Sequence, residues 1–158
     1  MLKNIFKTLD KWIAEENKAR RTDGALEIDK AEFRVLGQTA LLESQLELHL
    51  IATQDVDAYV KAQQEVYKKL DELLKAEGKH LDPDWRQIWM PEETEYDELY
   101  TGKLVTALIA KPEYVLISKA LKAPKKNRAL IVEYLASGAS KKFEVLAEKY
   151  KVDLEQFL

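Results

Sequence analysis

Cysteine is absent from the 158 residues, and histidine occurs only as His49 and His80. The first absence removes disulfides and thiolate metal sites, and two isolated imidazoles make a poor zinc set, so any metal must be held mainly by oxygen. Long apolar runs are also missing. Residues 1–18 contain no uninterrupted apolar stretch of the kind found in a secretory signal, and no later segment approaches the ~20 apolar residues a bilayer crossing requires. Nor is there an excess of one charge: 28 acidic against 25 basic residues leave a net charge of −3. General nucleic-acid binding therefore has no electrostatic basis in the bulk composition, although a local basic patch stays open. What remains, 46% hydrophobic and 34% charged residues, is the composition of one globular domain with a genuine core. The expectation is a cytoplasmic protein with no membrane partner.

Leu2, Ile5, Phe6, Leu9, Trp12 and Ile13 recur at three- and four-residue steps, one stripe of an amphipathic helix that packs on the domain or on a second copy. The polar run from Lys18 to Gly24 ends it. Phe33 to Leu36 reads as a strand, Gly37 punctuates it, and residues 39–46 fit a helix. A second helix spans residues 61–79, with Val66, Leu70, Leu73 and Leu74 on one face, and Asp82-Pro83-Asp84 breaks the chain after it. Residues 86–90, 96–100 and 104–109 read as strands, the last two joined around Thr101-Gly102. Pro112 fits the first turn of a helix, Pro124 stops it and starts the next, that one ends near Ser137-Gly138, and Ser140 caps a last helix. The layout is an N-terminal helix (1–24), a mixed α/β core (32–110) and a helical C-terminal third (111–158) in one domain.

The informative segment is Thr53-Gln54-Asp55-Val56-Asp57. On a strand running to Val60, Asp55 and Asp57 share one face while Val56 and Ala58 point into packing, and two carboxylates side by side form a hard-oxygen site for Mg²⁺. Gly37, with Gln38 and Thr39, stands where a strand gives way to a helix, a place where a phosphate can approach the backbone. A nucleoside triphosphate held at that turn would have its phosphates bridged by Mg²⁺ on the aspartates.

Val35-Leu36-Gly37-Gln38-Thr39-Ala40 followed by Thr53 to Asp57 resembles the small nucleotidyltransferases of the DNA polymerase beta superfamily, whose signature is a glycine turn, a helix and an Asp-x-Asp strand. The nearest subgroup is the compact prokaryotic set that includes abortive-infection and toxin-antitoxin enzymes. Their later segment, a strand, a proline, an apolar helix and a Ser-Lys pair, is similar to Leu104 to Lys119 here. The resemblance covers roughly Phe33 to Gly138. It implies a nucleotidyltransferase-like α/β fold, Mg²⁺ on Asp55 and Asp57, phosphate contacts from Gly37, Gln38, Thr39 and Lys119, and transfer of a nucleotidyl group to a hydroxyl on RNA, protein or a small molecule.

This chain departs from the pattern in four places. Gln38 stands where the family has a second glycine or a serine, Ile51 where an arginine is frequent, and Lys125-Lys126-Asn127-Arg128 lacks the usual Lys-Asp pairing. The third carboxylate of active members comes from a later strand, yet residues 103–110 contain no acid. Asp97 and Glu98 on the preceding strand are the substitutes in view. The competing reading is a protein that keeps the fold without the chemistry, joined to a partner in a toxin-antitoxin or defence pair, or to a second copy through the Leu2 to Ile13 stripe. Most of the basic run from Lys119 to Arg128 reads as a solvated helix face, with Lys119 the exception. Trp85 and Trp89 read as core rather than base-stacking residues, and residues 146–152 as part of a packed helical hairpin, since too little chain follows for a recognition helix.

Overall fold

The computed structural model describes residues 1–44 and 46–158. In chain order its elements are α1 (Leu2–Thr22), β1 (Ala31–Val35), α2 (Gly37–Glu43), β2 (Asp55–Val56), β3 (Ala58–Lys61), α3 (Gln64–Ala76), β4 (His80–Leu81), β5 (Tyr96–Thr101), β6 (Val105–Ala110), α4 (Pro112–Lys122), α5 (Arg128–Ala136) and α6 (Lys141–Lys149). This is the mixed α/β architecture expected, with an N-terminal helix and a helical C-terminal third. No helix among the described residues is long and apolar enough to cross a membrane.

The main sheet has the order β3-β1-β6-β5. β1 runs antiparallel to β3 and parallel to β6, and β5 returns antiparallel along β6. The two central strands are the apolar ones: Phe33, Val35 and Ala107 are fully buried, as is most of Val105 and Ile109, which is how a strand covered on both faces reads. The α1 stripe of Leu2, Ile5, Phe6, Leu9 and Ile13 is buried against this sheet and α3, with the Phe6 and Phe33 rings 5.2 Å apart. The stripe is therefore spent inside its own chain, which removes it as a surface for a second copy. Asn17, buried at 4% exposure, extends the sheet logic into the α1–β1 connection: its amide donates to Ile28 O and accepts from Ile28 N.

Three expected elements differ. The strand from Asp55 to Val60 is two strands in different sheets, because Asp55–Val56 pairs in parallel with β4, whereas Ala58–Lys61 pairs with β1. The alternation nonetheless holds, with Val56 and Ala58 buried and Asp55 exposed. Residues 86–90 form no strand. A short 3₁₀ turn over Trp85–Gln87 grows out of the Asp82 turn, whose carboxylate accepts the Asp84 N–H. The following carbonyls of Ile88 and Trp89 accept from the Tyr59 and Ser118 hydroxyls instead of from a strand. Helix α2 ends at Glu43, where Ser44 is extended; Gln45, in the run expected to be helical, lies outside the described residues.

The C-terminal third forms as read. Pro112 opens α4, and the Ser140 hydroxyl accepts the Phe143 N–H at the start of α6. Trp89 meets Tyr150 edge to face, so it serves packing. After α6, Lys151 adopts φ +58 and the chain closes in a 3₁₀ turn that buries Phe157, a packed ending rather than a recognition helix.

Candidate functional site

Helix α2 and strand β2 are bound to each other by the side chain that follows the glycine turn. Thr39, 7% exposed, donates its hydroxyl to Asp55 O at 3.2 Å, and Leu36 N–H donates to Asp57 O at 2.8 Å. Between them Gly37 holds φ +59, and a β-carbon built there would stand 2.4 Å from Asp57 Oδ2. What this glycine admits is the Asp57 carboxylate of its own chain. The site thus has a cradle that only a residue without a side chain can form.

A further carboxylate lies beside Asp57, from a part of the chain that the sequence reading does not single out. The chain leaves α3, pairs β4 alongside β2, and reverses at Asp82, whose backbone N–H donates to Val56 O at 3.0 Å. This puts the Asp82 side chain within hydrogen-bonding reach of Asp57. Burial, then the hydrogen bond with and the charge of Asp82, raise the Asp57 carboxyl from 3.8 to about 6, against the pull of Lys119. Two carboxyls in such contact hold a proton between them far more readily than either does alone. Asp55 contributes the smallest part of that shift. Its Oδ1 lies 3.0 Å from His80 Nε2, on the β4 residue that is its register partner.

Asp97 and Glu98 do not substitute. They lie on β5, at the edge of the sheet farthest from β3, where Asp97 pairs with Lys111 at 3.8 Å. The strand of residues 103–110 is free of acids because it is the buried parallel neighbour of β1.

Asp55, Asp57 and Asp82 line a cavity of ≈ 570 Å³, together with Gln38 from α2, Lys119 from α4, and Lys126 and Asn127 from the α4–α5 connection. Its rim includes Ile51 and Thr53 of the segment between α2 and β2, which is fastened by side chains: Gln38 Nε2 donates to Ile51 O at 3.0 Å, Lys79 Nζ to Thr53 O at 2.9 Å, and His49 Nδ1 lies 2.7 Å from Glu133. Gln38 and Thr39 are thus engaged with the chain itself. Lys119 is half-buried; burial depresses its ammonium, Asp57 works to raise it, and the charge of Lys126 lowers it further.

Of the residues expected at the site, Gly37, Gln38, Asp55, Asp57 and Lys119 come together, and Thr39 sits behind them as a brace. Asp82, His80, Lys126 and Asn127 are additions. Asp82 reads in the sequence only as part of the Asp82-Pro83-Asp84 break after the helix, a signal for the reversal and not for the meeting with Asp57. Among the described residues, no group of three or more His, Cys, Asp or Glu side chains stands in an arrangement that would hold a metal ion. The acidic donors in the recess are all carboxylate oxygens, the ligand type Mg²⁺ takes, and Asp55 is engaged by His80 instead of by the other two. No family model matches the chain, nor does any curated protein or solved structure.

Proposed function

We propose that the cavity binds a nucleoside triphosphate with Mg²⁺ and transfers its nucleotidyl group to an acceptor hydroxyl. The observation that carries this reading is the pairing, in one recess, of carboxylates from the β2–β4 side (Asp55, Asp57, Asp82) with Lys119 from the helical side. Carboxylates alone suit a cation and lysines alone suit an anion, whereas both together suit an anion that brings its own cation. Bound Mg²⁺ supplies charge neutralisation for the phosphates and polarises the phosphorus under attack.

In the reaction, the acceptor oxygen bonds to the α-phosphorus, the bond from that phosphorus to the oxygen bridging to the β-phosphate breaks, and pyrophosphate leaves. The hydroxyl proton passes to the Asp57–Asp82 pair. Gly37 holds Asp57 in place, Thr39 fixes the strand carrying Asp55, and Lys119 meets phosphate oxygens.

A second reading has its own observation. Asp55 is engaged by His80 at 3.0 Å, which favours a protein that binds a phosphorylated ligand or a defence partner without turnover. Incubation with labelled triphosphates, Mg²⁺ and candidate acceptors separates the two. Transfer by the wild type that an Asp55→Ala, Asp57→Ala variant abolishes supports the enzyme; equal signal from both sinks the catalytic reading, and titration with a non-hydrolysable triphosphate then tests binding alone.

A further inference from the structure

Five basic side chains follow one another from Lys119 to Arg128, and the structure sorts them. Lys122 lies over the Trp89 ring at 5.1 Å, the Arg128 guanidinium donates to the Gln156 carbonyl, and Lys125 is exposed. Lys119 and Lys126 alone among them line the cavity. Neither forms an ion pair among the described residues. The contact Lys119 does make is to Asn127 Oδ1 at 3.5 Å, and Asn127 is oriented for it by donating its own Nδ2 to Ala123 O at 3.0 Å.

The two ammonium groups are near enough for the charge of Lys126 to bear on Lys119. Like charges that share a recess without a carboxylate in contact repel each other, and the half-buried Lys119 also loses hydration, a cost that a multiply charged anion offsets. A single carboxylate or monophosphate would satisfy one of them. A chain of phosphates can reach both and still share a divalent cation with the aspartates.

We infer that Lys126, with Lys119 and Asn127, forms the wall that grips the terminal phosphates of a polyphosphate ligand, an assignment that rests on the nucleotide reading above. Lys126 is the discriminating residue because it is exposed, so its replacement leaves the core untouched.

The test is calorimetric titration of the intact protein with inorganic tripolyphosphate at fixed Mg²⁺, using Lys126→Ala, Lys119→Ala and, as a neighbour outside the cavity, Lys125→Ala. The expected result is a loss of at least about tenfold in affinity for the first two, the size of one charge-assisted contact, and a change within about twofold for the third. Equal affinities for Lys126→Ala and Lys125→Ala would overturn the assignment, as would absence of tripolyphosphate binding by the wild type, or a short dicarboxylate binding as tightly as tripolyphosphate. Lys126-dependent binding in a protein that transfers nothing upholds the wall and removes the catalytic reading; transfer that is indifferent to Lys126 does the reverse.

Discussion

Alanine at position 37 would have to hold φ near +59 with its β-carbon 2.4 Å from Asp57 Oδ2. Both the backbone and the carboxylate would have to move, so Gly37→Ala should lower stability by about 1–3 kcal/mol in urea denaturation and displace Asp57. The Asp57–Asp82 contact has a pH signature. A carboxyl at about 6 in the folded protein and 3.8 otherwise binds its proton more tightly in the folded state, so its contribution to stability is full below about 3.8 and is lost as pH rises through about 6. Asp82→Asn removes the neighbouring charge and should raise stability at pH 7 by about 1 kcal/mol, allowing for the solvent that reaches the pair, or about 2–4 °C in Tm. The same variant should show little gain at pH 4. Thermal scans at the two pH values check this, and equal gains at both would remove the shared proton. That Asp55, Asp57 and Lys119 would face one recess, with Gly37 against Asp57, was legible in the sequence because each belongs to a local pattern. Asp82 was not, since its meeting with Asp57 depends on a parallel pairing of β4 with β2 that no local periodicity encodes.

At the scale of elements, the described residues 46–54 ahead of β2 form no helix or strand and are fastened by Gln38, Lys79 and the Glu133–His49 contact. Hydrogen bonding to the His49 backbone and ring keeps the Glu133 carboxylate below its ordinary range. Glu133→Ala should therefore leave Tm nearly unchanged while speeding proteolytic cleavage within residues 46–54 several-fold, measured by limited digestion. The bounds of α1, α4 and α6 were readable, because a buried stripe, Pro112 and the Ser140 cap act locally, whereas the helix expected over 61–79 spans only Gln64–Ala76 and yields Lys61 to β3. The strand expected at residues 86–90 shows the opposite case: the apolar run Ile88-Trp89-Met90 pairs with no strand, and the Tyr59 and Ser118 hydroxyls take the Ile88 and Trp89 carbonyls.

Across the whole molecule, stability and site are built in different places. The core covers the β1–β6 centre of the main sheet, with α1 and α3, where Phe6 meets Phe33, and with α2, α4 and α6, where Leu41, Leu116 and Phe143 are buried. The aspartates hang from its margin on β2 and β4, two residues each. A ladder so short contributes little cooperativity of its own. Its amide hydrogens, His80 on Gln54 O and Asp82 on Val56 O, should accordingly exchange with deuterium by local opening, well ahead of those between β1 and β6. A divalent ion held, as proposed, by Asp55, Asp57 and Asp82 would close that opening. Exchange at His80 and Asp82, slowed by Mg²⁺ while the central strands stay as they were, would then report occupancy of the site with no substrate present.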